Sequence, residues 1–200
     1  MTKRAFDILF SSFGLMIALP IIVLVCVLNL FFLGPPIFFR QSRLGFRGHE
    51  FSVIKFRTMH SFTDHQGILL EDSVRRSNYG NFLRRMSIDE VPSLWLVLRG
   101  KMSMVGPRPL PSKYRERYTR SQFVRHEVLP GVTGLAQVRG RKRCSWRHKL
   151  MYDRFYVKNR SLGLDLFILK ETICVVMSGV GADQLDEDEM PDFNVLGADK

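Results

Sequence analysis

Two carboxylates stand side by side at Asp89 and Glu90, with Arg84 and Arg85 just before them and Arg108 in a Gly-Pro-Arg-Pro run just after. Val91, Leu94, Trp95 and Leu98 follow at i, i+3, i+4 and i+7, the spacing of one face of a helix. Gly100 after Arg99 makes a stop, with a cation in the last turn. Ser87-Ile88-Asp89-Glu90 reads as a capping box with Ser87 at the N-cap. That register would make Pro92 the fifth helical residue, where it removes a hydrogen bond and clashes one turn back. Asp89 at or near the cap is the preferred register, because Pro92 then falls in the tolerant first turn. As helix chemistry alone, Asp89 caps and Glu90 complements the dipole. As a site, a helix N-terminus favours anions, and two adjacent carboxylates divide the work of nucleophile and metal ligand while the arginines hold phosphate oxygens. The prolines at 107 and 109 fix the backbone on both sides of Arg108. Phosphate chemistry is the hypothesis these residues raise.

The rest of the chain must position them. Two hundred residues suit one domain with a real core. Cys26, Cys144 and Cys174 form no CxxC, and His49, His60, His65, His126 and His148 show no ligand spacing, so neither zinc nor a disulfide framework is indicated. The net charge is +11. Setting aside residues 182–200, with seven acids and one base, leaves 29 bases and 12 acids in residues 1–181, a net +17. A body this basic meets something anionic, such as nucleic acid, lipid headgroups or phosphorylated substrates. The acidic tail reads as a disordered, solvated end.

Residues 5–33 carry a single charge, Asp7. As one straight helix they would extend ~43 Å, against a hydrocarbon core of ~30 Å. Pro20 near the middle bends the axis, and each half is too short to cross alone. The expectation is a helix–break–helix that enters and returns on one face, with a kinked span as the alternative. Lys3 and Arg4 before it, and Arg40, Arg43 and Arg47 after it, would anchor both ends to anionic headgroups. The carbonyl freed near Met16 needs a partner, for which Ser12 is a local candidate.

Residues 37–59 read as two strands around a Gly45–Gly48 turn, with Lys55 in the alternating pattern of the second. Residues 59–71 read as a loop. Tyr79, Phe82, Leu83 and Met86 predict a helix that delivers Arg84 and Arg85 to the acidic pair. Residues 111–124 suggest a charged surface helix, and 130–141, with three glycines, a loop whose backbone approaches a ligand. The basic run Arg139, Arg141, Lys142, Arg143, Arg147 and Lys149 with Trp146 has the composition of a nucleic-acid patch. No binding fold accompanies it, so phosphate or headgroup contact is the preferred reading. Trp146, Tyr152, Phe155 and Tyr156 would then seat that segment at the interface. Residues 162–177 are apolar but carry Asp165, Lys170 and Glu171, which argues against a second crossing and for a core or in-plane helix.

Taken in order, KRAFD, the proline-broken apolar helix, FFRQSRLGFRG, KFRTM, LRRMSIDEVPSLWLVLRGKMSMVGPRP and RHEVLPGVTGLAQVRGR resemble the bacterial sugar transferases, the small monotopic phosphoglycosyl transferases, over residues 2–180. The resemblance implies an α+β protein. A re-entrant membrane helix hairpin (residues 1–36, broken at Pro20) precedes a mostly helical cytosolic catalytic domain (37–181) with a small β-hairpin and interfacial amphipathic helices, and the acidic tail (182–200) follows. It implies transfer of a sugar-1-phosphate from a UDP-sugar to polyprenyl (undecaprenyl) phosphate with release of UMP, the first membrane step of glycoconjugate assembly. Asp89 would be the nucleophile of a covalent, ping-pong mechanism and Glu90 the Mg²⁺ ligand. On the family's motif positions Lys55, Arg84 and Arg108 would bind phosphates; from charge and placement alone, Arg85 beside Arg84 and Arg139 in the basic run are further candidate phosphate contacts. The implied location is the bacterial inner membrane, catalytic domain on the cytoplasmic face. The implied partners are the UDP-sugar, polyprenyl phosphate and anionic lipid, with no nucleic acid and a homodimer left open. Many relatives place Ser before the break proline, whereas Leu19 stands there, which leaves the bend geometry open. The competing reading is a non-catalytic membrane-anchored adaptor for anionic lipid or RNA, which gives Asp89 and Glu90 no task.

Overall fold

A computed structural model describes residues 2–140 and 145–178. Residues 141–144 of the basic run and the acidic tail lie outside the described residues. The first element, α1 (Thr2–Phe32), is a single helix that continues through Pro20, so the expected division into two helices at that proline is not seen: the proline removes one hydrogen bond without ending the helix. Among the described residues it is the one helix long and apolar enough to cross a membrane. Its pattern is inverted relative to a soluble helix. Asp7, Ser11, Ala18, Val25 and Asn29 form the buried stripe, while Leu9, Phe13, Met16, Ile17, Val23, Leu24 and Phe31 are exposed. Small and polar residues toward the protein and large apolar ones outward is how a helix packs when lipid is its solvent.

Both ends of α1 are tied to the same globular body. Near its start, Arg4 donates to the carbonyls of Val97 and Leu98 at 2.6 and 2.7 Å, satisfying the C-terminus of a short helix. Lys3 pairs with Asp165 at 2.7 Å, and Asp7 accepts from the Ser103 hydroxyl and the Met104 amide. Near its end, the Asn29 amide donates to the carbonyls of Ile37 and Arg57, both at 3.1 Å, and accepts from the Tyr79 hydroxyl. Lys3, Arg4 and Arg43, expected at headgroups, are thus engaged inside the protein, because unsatisfied backbone carbonyls and buried carboxylates need donors.

The hairpin forms as the alternation predicts: β1 (Phe38–Leu44) pairs antiparallel with β2 (Glu50–Phe56), and the connection includes a 3₁₀ turn at Phe46–Gly48. After the loop come α2 (Asp72–Arg75) and α3 (Asn78–Arg85), the latter capped by the Ser77 hydroxyl on the Gly80 amide. A 3₁₀ turn at Ile88–Ser93 leads into α4 (Leu94–Leu98). A second, parallel pair joins β3 (Ser103–Val105) to β4 (Gly131–Thr133). Residues 111–124 are not one helix but a 3₁₀ turn at Ser112–Arg117 and the short α5 (Arg120–Phe123), with a further 3₁₀ turn at Val124–Glu127. The glycine segment is not an open loop: it supplies β4 and α6 (Leu135–Arg139), Gly131 and Gly134 lie close against Gly106, and Val132, Thr133, Gln137 and Val138 line the cavity described below.

The C-terminal layer is α7 (Trp146–Asn159) and α8 (Leu162–Ser178). Trp146 and Tyr156, expected at an interface, are core residues. Trp146 packs with Leu110, Tyr114 and Leu150, and Tyr156 with Val105, Val128, Leu135, Val138 and Ile168. Their apolar rings fill the space between layers, and the Tyr156 hydroxyl is satisfied by Val105 and Asp165. Phe155 and Met151 remain exposed on α7.

Candidate active site

Pro92 decides how the acidic pair is presented. It would break an α-helix begun at Ser87, so the chain instead takes a 3₁₀ turn for six residues and becomes α-helical only at Leu94. Asp89 is therefore the second residue of a 3₁₀ turn rather than a cap. Ser87 precedes the turn in the left-handed region, at φ 53°, and its side chain makes no capping bond. A non-glycine residue held there is strain of the kind that concentrates at functional sites. The Ser93 hydroxyl pins the turn to β2 by donating to the Ile54 carbonyl at 3.0 Å.

This arrangement faces Glu90 toward two cations. Lys55 Nζ lies 2.7 Å and Arg108 Nη2 2.9 Å from the same oxygen, Glu90 Oε1. Arg84 donates from Nε to the Thr58 hydroxyl at 2.9 Å. Asp89, Glu90, Lys55, Arg84, Arg85 and Arg108 all line one cavity of about 730 Å³, which also takes in Arg40, Arg43, Arg57 and Arg75. Arg139 does not line it: it is exposed and its guanidinium stacks on Phe167, 5.1 Å from the ring centroid.

The two carboxyls titrate apart. Burial alone would raise Glu90, but Arg108 and Lys55, through charge and hydrogen bonds, hold it well below the usual carboxylate range. Asp89 is pushed up to about 6 by burial and by the neighbouring Glu90 charge, with Lys55, Arg108 and Arg84 opposing the rise. Glu90 is thus a fixed anion. Asp89 is a more basic carboxylate that is ionised above about pH 6, the combination that suits a phosphorus nucleophile.

Sequence reasoning missed Arg43, Arg57 and Arg125. Arg57 is buried and its guanidinium donates to the carbonyls of Leu33, Gly34 and Pro35 and to Ser61, closing the exit of α1 against the cavity wall. Its place inside the KFRTM motif was the available signal.

The family described as bacterial sugar transferase matches residues 1–179. The chain belongs to this family. It is an enzyme of the class that transfers substituted phosphate groups. It is 44% identical to the uncharacterized sugar transferase EpsL of Bacillus subtilis, over 91% of this chain and 90% of that protein. It is 34% identical to the exopolysaccharide production protein ExoY of Rhizobium meliloti, over 91% and 88%. It is also 34% identical to the UDP-glucose:undecaprenyl-phosphate glucose-1-phosphate transferase of Klebsiella pneumoniae, over 86% of this chain but only 39% of that longer protein.

Proposed function

We propose that this sugar transferase moves a sugar-1-phosphate from a UDP-sugar to polyprenyl phosphate and releases UMP. The observation that carries the reading is Glu90 clamped by Lys55 and Arg108 beside a carboxyl, Asp89, of raised basicity. Asp89 attacks the sugar-linked phosphorus, and the bond from that phosphorus to the bridging oxygen breaks, so that UMP leaves with the electron pair. An oxygen of polyprenyl phosphate then attacks the same phosphorus, and the Asp89–phosphorus bond breaks to restore the carboxylate. Splitting the transfer this way needs one nucleophile and one set of phosphate-binding groups for both halves. Arg84 and Arg85 line the cavity wall nearest in sequence to Asp89 and hold phosphate oxygens. Arg108 and Lys55 both neutralise Glu90 and face the diphosphate.

The donor set suits Mg²⁺, which takes one or two carboxylates together with substrate phosphates. Glu90 provides the carboxylate, and both protein cations sit on one of its oxygens. When bound, the ion supplies charge neutralisation to the leaving phosphate. Among the described residues no cluster of three or more His, Cys, Asp or Glu competes for a metal.

The anchor fits the same reading. Lys3, Arg4 and Asp7 at one end of α1 and Asn29 at the other bind one globular body, which supports an anchor with both ends on the cytoplasmic face of the inner membrane, although α1 runs through Pro20 without the expected break. That places the cavity at headgroup depth, where a lipid phosphate and a soluble nucleotide sugar meet. Labels at residue 2 and in the 60–70 loop are expected to react from the cytoplasmic side alike. Labelling from opposite sides would establish a true span.

The deciding assay is UMP release from a panel of UDP-sugars with Mg²⁺. Rapid release of about one equivalent of UMP per enzyme without acceptor, and sustained turnover once undecaprenyl phosphate is added, is the expected result. No release from any UDP-sugar would favour the adaptor.

A further inference from the structure

The Gly106–Pro111 segment, GPRPLP, has three prolines and therefore few backbone donors, so it is held by its carbonyl oxygens. Four successive carbonyls accept from four different places. Pro107 O accepts from the Gly131 amide at 2.9 Å, and Leu110 O from the Leu44 amide at 2.9 Å. Between them, Pro109 O accepts from Arg43 Nη1 at 3.2 Å and Arg108 O from Arg125 Nη2 at 2.6 Å.

Arg125 is 3% exposed and does not line the cavity, so it cannot touch substrate there. Asp153, also 3% exposed, accepts from Arg125 Nε at 3.0 Å and lies 2.9 Å from Nη2, and the Tyr118 hydroxyl accepts from Nη1 at 2.9 Å. The planar fork is therefore fixed by α7 on one side and by Tyr118 on another, with the second Nη2 N–H aimed at the Arg108 backbone. A buried ion pair is a poor device for stability alone, since desolvation offsets its attraction. A rigid, multiply bonded fork is a good device for placing a neighbour.

Resting on the proposed transfer reaction, we infer that Arg125, set by Asp153 and Tyr118, is a positioning residue: it holds the Arg108 carbonyl so that the Arg108 guanidinium stays on Glu90 and in reach of the diphosphate. Lysine at 125 keeps the charge beside Asp153 but lacks the fork that reaches both partners.

The test is a double-mutant cycle on kcat/KM for UMP release in the full-length, membrane-embedded enzyme. Arg125→Lys is expected to lower kcat/KM roughly 10- to 100-fold, the scale of a catalytic group misplaced by an ångström. In an Arg108→Ala background the same change should cost less than about twofold, because its effect passes through a side chain already removed. Equal losses in both backgrounds overturn the inference and make Arg125 a packing residue. If Arg125→Lys does not fold, Tyr118→Phe keeps the Arg125–Asp153 pair and is carried through the same cycle, judged by the same coupling. A wild-type enzyme that releases no UMP sinks the transfer reading itself, whereas an active wild type with uncoupled losses sinks only the inference.

Discussion

Asp89→Asn is expected to abolish turnover, by on the order of 10³-fold or more as for loss of a catalytic nucleophile, while membrane binding and the fold survive. The fold survives because Asp89 caps nothing: the turn that carries it begins at Ile88 and is pinned by Ser93 on Ile54. Stability should be unchanged or higher at neutral pH. The sign follows from the raised carboxyl. A group whose folded pKa is about 6 rather than 3.8 binds its proton more tightly in the native state, so its ionised form costs stability above that range, and a neutral amide avoids the cost. The same value sets the pH profile. If ionised Asp89 is the nucleophile, kcat/KM rises with pH through about 6 and is flat above it, falling about tenfold per unit below. Stopped-flow UMP release, thermal melts and mass spectrometry of enzyme quenched with UDP-sugar check the set. Wild-type turnover by Asp89→Asn, or a phosphosugar adduct on another residue, would remove Asp89 from its role.

The parts of this architecture legible in the sequence are those written in local pattern. The apolar run of α1, the alternation and glycines of the hairpin, and the spacing of Leu83 and its neighbours each need only a few consecutive residues. The acidic pair is legible because adjacent carboxylates repel each other and need cations, which Lys55 and Arg108 supply to Glu90. What escaped was written in backbone partners. Arg43, Arg57 and Arg125 donate to carbonyls of Pro109, Leu33 and Arg108, and a carbonyl has no side-chain identity to read. The pairing of β3 with β4 involves three-residue strands far apart in sequence, too short for any periodicity. Trp146 and Tyr156 carry an apolar body with a polar tip, which suits a membrane interface and a core equally. Only the facing Leu150 and Ile168 decide it. Arg139 belongs to the basic run that reads as a phosphate contact, but the side chain leaves the last turn of α6 outward, onto Phe167.

Gly131→Ala is expected to be among the most damaging single-methyl changes in the protein. A Cβ at 131 would lie 2.1 Å from the Gly106 nitrogen, 2.3 Å from the Thr133 oxygen and 2.6 Å from the Gly106 oxygen, all backbone atoms that no rotamer change can move. The cause is space, since Gly131 is not among the residues with positive φ. Relief requires β3 and β4 to separate, which breaks the Gly131–Pro107 and Gly106–Thr133 hydrogen bonds and frees the segment that presents Arg108. Overpacking of this kind costs ~1–3 kcal/mol and occasionally more. At 2–4 °C per kcal/mol for a chain of this size, a cost near the top of that range lowers Tm by roughly 6–12 °C. Activity should fall further than stability explains, measured at a temperature where the variant is fully folded, because Arg108 moves with the strand. Gly163→Ala is the matched control. Its Cβ would meet nothing closer than the Ser161 hydroxyl at 4.0 Å, and it lies within α8, where alanine restricts the unfolded chain and is expected to stabilise by about 0.4–1 kcal/mol. If Gly131→Ala melts with the wild type and keeps its kcat/KM, the close approach of the two glycine segments is not what holds Arg108 in place.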